Sequence, residues 1–561
     1  MILPNVWSQG QLFAFSALDG ESLATKDFVG TLCGDKIGIR FHTAVKRELC
    51  ISAVSTLKPD IKTVAGDIIE METLQGNMSI IYADTHTVIG NVVSPAVAVV
   101  LTEGVFETKK IDNIEIQVTN DGDFTAILRK DNKFAFAYGN SLESVVEKVK
   151  KGIELDLTKE ADKKKEIYKK HSLDSDNPYA TLYAKFLSVM KTQLYSPEGR
   201  YDRIWSTPDR LPHKYLWLWD SVFHAIGHRN INPALAEDLV LDIFASQGEN
   251  GFIPHLAFVD FCSGITQPPV IAWGSYLVYQ KSGNKEFLSQ VFNANRKFLE
   301  WCQTNRRDTE EELYTWLTQE DTNCRCDESG MDNSPRFDIQ SRLQAIDFSC
   351  FMANDVLYMA KIADILGLDS DKEYFEKWYN QIKSEVNQKL WCEEDGFYYD
   401  YDLKNKRLHK VQSVASFLPL FAGICDENRA ARLVEHLTNP EEFGTPFSIP
   451  SISKKDATYG SDMWRGPVWI NYNYMIAEAL IYYDYKDLAL QIKENTLFVL
   501  DYWYKRTGTV YEYYDPENVK APKELNRKGK PYEPYDFTVR YQSIRDYGWS
   551  NTLGFDLLHN R

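Results

Sequence analysis

From residue 177 to residue 561 one helical pattern follows another, separated by gaps that alternate between short and long. Apolar residues recur at helical spacing in about twelve segments that end at Gly, Pro or polar residues. The predicted helices lie at 178–195, 218–229, 232–246, 269–282, 284–302, 343–366, 370–391, 411–423, 427–438, 467–484, 485–500 and 546–559. Six helical hairpins whose long loops gather at one end predict an (α/α)6 toroid. Loops of that length in a compact domain usually carry function.

Residues 1–140 follow a different pattern. Short runs rich in Val, Ile and Thr alternate in polarity, with turn residues every eight to twelve positions. This pattern predicts an all-β sandwich domain. Residues 141–176 are charged, poor in aromatic residues and helical in pattern, which is typical of a solvated linker helix. The sequence therefore predicts a β-sandwich at 1–140, a helical linker at 141–176 and an all-α catalytic domain at 177–561.

Composition excludes several classes of partner. The net charge of −17 disfavours binding to nucleic acid or to an anionic membrane, since both need a basic surface. No run of about 18 apolar residues predicts a membrane span, and the N-terminus lacks the features of a signal peptide. Nine Cys without CxxC pairs favour reduced thiols, so we expect a cytoplasmic protein. The oligomeric state is not indicated.

The loop Cys326–Asp338, CDESGMDNSPRFD, contains four carboxylates, one Arg, a Gly and a Pro. Such a loop is also typical of an ordinary solvated surface. Aromatic-rich segments elsewhere in the chain favour a sugar site instead, because sugar rings stack their C–H faces on aromatic rings while carboxylates and amides bind the hydroxyls. A carboxylate inside such walls loses solvation, and its pKa rises toward that of a general acid.

Other segments carry candidate residues that also have structural explanations. Trp217–Asp220 opens a helix, where an Asp also serves as a helix cap. Gln267–Trp273 places Pro at a helix start, which is itself a structural signal. In Tyr459–Trp469, YGSDMWRGPVW, the Arg is suited to clamp a substrate, stack on an indole or pair with an acid.

The segment Val510–Pro516, VYEYYDP, embeds Glu512 among three Tyr residues. Alternating aromatics also fit a plain β-strand. A Glu enclosed by aromatic rings is nevertheless a good candidate for a general base, because burial shifts its pKa.

Signals for other chemistries are weak. The sequence has no GxSxG, GxxxxGK[ST], HExxH or Rossmann glycine pattern. His224 and His228 are four residues apart on one helix, but no further metal ligand is obvious nearby. Residues 321–323 begin like a calcium loop, but Cys326 stands where the loop needs Gly. We expect no cofactor and no catalytic metal, and leave open a structural calcium ion.

Five segments in a fixed order resemble glycoside hydrolase family 63, the processing α-glucosidases, and the related family 37 trehalases. The segments are WLWDSVFHAIG (217–227), ESGMDNSPRF (328–337), MWRGPVWINYNYM (463–475), VYEYYDP (510–516) and DYGWSNTLGFDLL (546–558). Each alone is a weak signal, but together they are specific and cover most of residues 200–560. No motif in the N-terminal domain matches.

The resemblance implies Asp332 as general acid and Glu512 as general base of an inverting hydrolase, with water activated between Glu512 and the sugar. Asp332 is then expected to have a raised pKa against apolar or aromatic walls, and a cation such as Arg465 to keep Glu512 ionised. Taken with the segments above, the expected substrate-binding residues are Trp217, Trp219, Asp220, Gln267, Trp273, Asn333, Arg336, Trp464, Arg465, Trp469, Tyr511 and Trp549.

The expected activity is exo-hydrolysis of the α-glycosidic bond of a small glucoside or oligosaccharide. The family usually has Thr-Gly after the Pro that follows its base, whereas this chain has Glu517-Asn518, so Glu517 is a rival base. The trehalase signatures are also absent. Alternatives are another (α/α)6 carbohydrate enzyme, such as an α-L-rhamnosidase or a sugar epimerase, or a non-catalytic carbohydrate-binding protein.

Overall fold

The computed structural model describes most of residues 57–561, and before them the backbone of four strands. From residue 57 onward the gaps lie at 85, 95–97, 102–104, 121, 196, 198, 210–212, 214, 308–312, 322–323, 340, 448 and 529–542. The fold divides into two compact units. One comprises residues 1–214 and 504–509, and the other comprises 215–503 and 510–561.

The described part of the N-terminal region forms two antiparallel sheets. The strands are β1 Leu12–Phe15, β2 Phe28–Cys33, β3 Lys36–Phe41, β4 Arg47–Ser52, β5 Asp60–Ala65, β6 Ile68–Thr73, β7 Gly76–Asp84, β8 Thr87–Asn91, β9 Ala98–Leu101, β10 Val105–Ile111, β11 Ile114–Thr119, β12 Phe124–Lys130 and β13 Lys133–Gly139. One sheet has the order β1-β2-β3-β4-β9, and the other the order β10-β11-β12-β13-β8-β7-β6-β5.

Tight turns set the register of the second sheet. Asp112 and Asp131 adopt left-handed backbone conformations, with φ of 53° and 54°, between β10 and β11 and between β12 and β13. Asp tolerates this conformation better than most residues, because its side chain bonds to the nearby backbone. The second turn aligns Ala126 with Ala137, and in both strands consecutive residues are buried, at 125–128 and at 134–138.

The predicted linker helix is two helices, α1 Leu142–Ile153 and α2 Leu157–Lys170. The break between them follows from Asp156, whose carboxylate accepts from the first backbone N–H groups of α2 and caps it. Helix α1 packs on β12 and β13 and buries Val145 and Val149 there, so it belongs to the core of the first unit.

The remaining helices are α3 Ala180–Thr192, α4 Leu218–His228, α5 Pro233–Leu241, α6 Ile271–Ser282, α7 Lys285–Asn305, α8 Ile346–Leu366, α9 Asp369–Lys389, α10 Leu418–Phe421, α11 Glu427–Thr438, α12 Ile470–Tyr482, α13 Lys486–Thr507 and α14 Gly548–His559. They correspond in order to the twelve predicted segments. The segment predicted at 411–423 differs most: it is a 3₁₀ turn, Val414–Phe417, followed by the single turn of α10.

Six helices of the second unit pack on one another in a closed sequence. Helix α4 packs on α6, α6 on α8, α8 on α10, α10 on α12, α12 on α14, and α14 on α4. We call these the ring helices. They are also largely buried, whereas α7, α9, α11 and α13 expose one face. The segments singled out by sequence precede the N-termini of ring helices, where backbone N–H groups and the helix dipole favour anionic and polar ligands.

In the loops of the second unit, strands of two or three residues pair with one another in antiparallel fashion. They pair Leu216–Trp217 with Leu256–Ala257, Leu343–Gln344 with Asp400–Asp402, Asp400–Asp402 with Arg407–His409, Trp391–Cys392 with Phe397–Tyr398, and Val468–Trp469 with Tyr513–Tyr514. Leu194–Tyr195 and Trp205–Ser206 pair in the first unit. Among the described residues, no helix is both long and apolar enough to cross a membrane.

Candidate active site

The loop Cys326–Asp338 is anchored by a carboxylate, Glu328, that is fully buried. Arg306 donates to both of its oxygens, at 2.9 and 3.0 Å. The backbone N–H groups of Thr266 and Leu317 also donate to it, at 3.1 and 2.6 Å. Burying a carboxylate is costly unless its oxygens accept hydrogen bonds, and here both oxygens do. Glu328 therefore holds the loop in place.

Two further contacts tie this loop to the segment before α12. The side-chain oxygen of Asn333 accepts from the backbone N–H of Trp464 at 3.0 Å. Arg465 forms a partly exposed ion pair with Asp338 at 2.5 Å. The expectation that Arg465 accompanies Glu512 is therefore wrong, since its guanidinium is directed to the edge of the acidic loop.

Gly330 allows the loop to lie against Trp219. Its φ of 71° is in the left-handed region, and a Cβ atom there would lie 2.3 Å from Cζ2 of Trp219. Both the backbone conformation and the closeness of the indole require Gly. The indole thus contacts the backbone two residues before Asp332.

Gly330→Ala is expected to destabilise the protein by about 2–4 kcal/mol, because it combines the left-handed strain of a Cβ residue with overpacking. Gly283→Ala is the matched control. Gly283 has φ of 66°, but nothing lies within 4 Å of its added Cβ, so only the backbone cost of about 1 kcal/mol applies. Denaturant unfolding of both variants measures the difference. Equal losses would show that Trp219 does not pack on the loop.

Asp332 lies in a cluster of charged side chains. The ammonium of Lys528 is 2.7 Å from Oδ2 of Asp332. Burial raises the pKa of Asp332, but the charge and hydrogen bond of Lys528 together with the charge of Arg527 lower it below its usual range. The expectation of a raised pKa is therefore wrong for this state of the protein, since a cation and not an apolar wall contacts the carboxylate.

Glu512 is almost completely buried and forms an ion pair with the Arg527 guanidinium. The backbone N–H of Ile544 lies 3.3 Å from the same carboxylate oxygen. Both groups stabilise the negative charge of Glu512, and a general base must be ionised. Arg527 occupies the position that the sequence had suggested for Arg465.

Arg527 and Lys528 are consecutive, so the two carboxylates that they bind lie in one neighbourhood. The positive charge of Arg527 also acts on Asp332 directly. We call Asp332, Glu512, Arg527 and Lys528 the acid–cation cluster. The two cations were not predicted. The only signal for them is the basic run Arg527-Lys528-Gly529-Lys530 within a long loop of an otherwise acidic chain.

Four Trp residues form a continuous buried wall in the same unit. Trp464 and Trp469 stack in parallel with ring centroids 3.9 Å apart. Trp549 contacts Trp469 at 5.8 Å and Trp219 at 5.3 Å. The indole N–H groups of Trp464 and Trp549 are buried and have no hydrogen-bond partner among the described residues. Buried donors of this kind are normally satisfied, so these two suit a polar ligand such as a sugar.

Asp220 lies in the first turn of α4 and is 1 % exposed. The Tyr547 hydroxyl, from the residue before α14, is 3.4 Å from its Oδ1. Gln267 also belongs to this end of α4, because its side-chain oxygen accepts from the backbone N–H of Trp219 at 3.3 Å. These contacts join α4 to α14 next to the Trp wall.

Trp217 and Tyr511 lie at the borders of this region. The Trp217 ring packs edge-on against His255, with centroids 5.2 Å apart. Burial lowers the pKa of His255 to about 4, although the nearby charge of Asp332 opposes this effect. Tyr511 is buried beside Glu512, and its backbone N–H donates to the Tyr514 hydroxyl at 2.8 Å.

Arg336 does not bind substrate in this arrangement. It is 1 % exposed and lies between Asp347 and Asp400, with two guanidinium contacts to each at 2.6–2.8 Å. Asp347 also accepts from the Trp316 indole at 2.9 Å. The prediction of a substrate contact is wrong, because every side of the guanidinium faces a buried partner. Arg336 fixes the end of the acidic loop.

Trp273 and Glu517 also lie apart from the cluster. Trp273 is 3 % exposed and packs on Phe421 and Tyr474 between ring helices, which indicates a core residue. Glu517 is partly exposed and pairs with Lys454 at 3.1 Å. The ion-pair partner of Glu517 is thus a residue outside the cluster, and the choice of Glu512 over Glu517 as the base stays a prediction.

One group of described side chains has the composition of a metal site. Ligand atoms of Cys324, Asp327 and Asp332 lie within 4.8 Å of one another. The Lys528 ammonium lies among them, 3.1 Å from the Cys324 sulfur. A bound metal would have to displace this cation, so the group is better described as the surroundings of Lys528.

Comparison with known proteins identifies the family. Residues 213–550 match the mannosylglycerate hydrolase MGH1-like glycoside hydrolase domain, which is more than half of the chain. The mannosylglycerate hydrolase of Thermus thermophilus is 27 % identical over 54 % of this chain and 89 % of its own length. An uncharacterized protein of Borreliella burgdorferi is 28 % identical over 47 % of this chain, which covers 54 % of that protein.

Among solved structures, a family 63 mannosylglycerate hydrolase of Thermus thermophilus in complex with glucose has a similar fold. The likeness has a TM-score of 0.55 at 24 % identity and covers 68 % of this chain and all of that one. The family match and the curated relatives confirm the predicted resemblance to family 63 and the prediction of a glycoside hydrolase. The chain belongs to the mannosylglycerate hydrolase MGH1-like family and is a glycoside hydrolase of the family 63 type.

Proposed function

We propose that the protein is an inverting, exo-acting hydrolase that cleaves the α-glycosidic bond of a small glycoside. The observation that carries the proposal is the acid–cation cluster, in which the buried Glu512 and the half-buried Asp332 each pair with one of two adjacent cations. A glycosidase needs two carboxylates with different roles. Here each has its own cation, and the Trp wall, with two indole donors that lack a partner among the described residues, belongs to the same unit.

In the proposed reaction Asp332 protonates the glycosidic oxygen while the sugar–oxygen bond breaks. Glu512 removes a proton from a water molecule that attacks the anomeric carbon from the opposite face. The product therefore has the inverted configuration. Arg527 stabilises Glu512 as the anion that accepts this proton. These steps use only carboxylates and water, so we propose no cofactor.

Asp220 is proposed to bind sugar hydroxyls beside the Trp wall. It is buried next to Tyr547 in the first turn of α4. Carboxylates in this setting accept hydrogen bonds from hydroxyls, while the rings of Trp219 and Trp549 pack on the apolar face of the sugar. Asn333, Gln267, Trp217, Trp464, Trp469 and Tyr511 complete the proposed substrate-binding set.

The closed sequence of ring helices supports an (α/α)6 toroid as the catalytic fold. In this proposal α4, α6, α8, α10, α12 and α14 are the inner layer, and the intervening helices form the outer layer. The two N-terminal antiparallel sheets support a preceding β-sandwich. The domain limits 1–140, 141–176 and 177–561, and the cytoplasmic location, stay predictions.

The names of the curated relatives suggest mannosylglycerate or a related glycosyl glycerate as substrate. The test is release of free mannose, glucose or rhamnose from a panel of α-linked disaccharides and glycosylated glycerates. Release from an α-mannosyl or α-glucosyl compound is expected. Release of rhamnose alone, interconversion of free sugars, or binding without any release would each support one of the alternatives and contradict the proposal.

A further inference from the structure

We propose that Lys528 couples the charge of the aglycone to the general acid. An anionic aglycone draws the Lys528 ammonium away from Asp332 and so allows Asp332 to hold the proton that bond cleavage requires. The proposal rests on the proposed function, in which Asp332 is the acid. It adds a specificity-determining residue, Lys528, to that site.

The position of Lys528 carries the proposal. Its ammonium is 2.7 Å from Asp332, 3.1 Å from the Cys324 sulfur and 3.8 Å from Asp327. Its side chain is 25 % exposed and that of Asp332 is 16 % exposed, so both can meet a ligand. An acid occupied by an ammonium is held as the anion, and this is the wrong form for protonating a leaving group.

Among the charged and titratable groups that face Asp332, Lys528 is the cation whose position a ligand can change. Burial raises the pKa of the Cys324 thiol, so this group stays neutral at neutral pH, and burial together with the charge of Asp332 raises the pKa of Asp327. His255 is also neutral at this pH, since its pKa is lowered to about 4. Arg527 is positive, but it is buried in its pair with Glu512.

The chemistry of cleavage places the aglycone next to Lys528. Asp332 must contact the glycosidic oxygen, and the aglycone is attached to that oxygen. In a glycoside of a 2-hydroxy acid, the carboxylate is bonded to the carbon that carries the glycosidic oxygen. This carboxylate therefore reaches an ammonium that is 2.7 Å from the acid. It draws the cation away and adds a negative charge beside Asp332, and both effects raise the pKa of Asp332.

The experiment compares two substrates with the same sugar and linkage, one a glycoside of glycerate and the other of glycerol. The pH dependence of kcat reports the acid in the enzyme–substrate complex. For the wild type, the alkaline limb is expected to lie at higher pH with glycerate. A shift of one pH unit changes kcat on that limb on the order of tenfold, because it changes the protonated fraction tenfold.

Lys528→Met is expected to move the alkaline limbs of both pH profiles to higher pH and to reduce their separation to the part that the charge of the glycerate carboxylate itself causes. It should also raise KM for the glycerate compound only. Lys528→Arg retains the charge and is expected to keep the separation of the limbs. Lys523→Met is the matched control, because Lys523 is exposed in the same segment. It should behave as the wild type.

The proposal is overturned if the alkaline limb of the wild-type kcat profile lies at the same pH with both aglycones. It is also overturned if Lys528→Met keeps the full wild-type separation between the two limbs. If circular dichroism shows that Lys528→Met does not fold, Lys528→Arg is the deciding variant. Loss of the separation between the two limbs in folded Lys528→Arg would contradict the proposal.

Asp332→Asn distinguishes failure of the proposed function from failure of the Lys528 proposal. Full activity of Asp332→Asn would refute the proposed function itself, whereas a separation that depends on Asp332 but not on Lys528 refutes only this inference.

Discussion

Asp332→Asn and Glu512→Gln are each expected to reduce kcat by about 10²- to 10⁴-fold on an unactivated α-glycoside, because each removes one proton transfer. The matched control is Glu517→Gln. Glu517 is partly exposed and pairs with Lys454, so its amide variant should keep wild-type activity. Loss of activity in Glu517→Gln together with an active Glu512→Gln would move the general base to Glu517.

The two inactive variants are expected to differ on a glycosyl fluoride or a nitrophenyl glycoside. These leaving groups need little protonation, so Asp332→Asn should recover much of its activity. Glu512→Gln should not recover, since the water must still be deprotonated. Steady-state kinetics of both variants on both kinds of substrate measures this contrast. Recovery of Glu512→Gln alone would reverse the two roles.

Arg336→Met is expected to cost about 3–5 kcal/mol of stability, because it leaves the fully buried Asp347 and Asp400 without their cation. Arg465→Met is the matched control. Its ion pair with Asp338 is partly exposed, and such pairs contribute about 0–1 kcal/mol. Urea unfolding followed by Trp fluorescence is suitable, because most Trp residues lie in the second unit. Equal effects of the two variants would contradict the assignment of Arg336 as a structural anchor.

The order of helices was predictable because helical periodicity and caps are local properties of the sequence. Asn284 and Asp426 cap α7 and α11 near the predicted starts. The segment predicted as one helical linker contains two helices, because Asp156 caps the second of them. The segment 411–423 formed only short turns, since Pro419 supplies no backbone N–H and Gly423 adopts φ of 64°.

The site was predictable only in part, because a motif places a residue in the chain but does not say where its side chain points. Arg336 belongs to the same motif as Asp332, yet it faces two carboxylates from outside that motif. The sign of the pKa shift of Asp332 depends on Lys528, which is 528 − 332 = 196 residues further along the chain. Local sequence carries no information about that contact.

Inversion at the anomeric carbon is the most direct test of the proposed mechanism. Proton NMR of the first-formed sugar, recorded before mutarotation equilibrates it, distinguishes the two anomers from an α-linked substrate. Direct attack by a water activated by Glu512 predicts the β-anomer as the initial product. Initial release of the α-anomer would show a covalent intermediate and would contradict the roles assigned to Asp332 and Glu512.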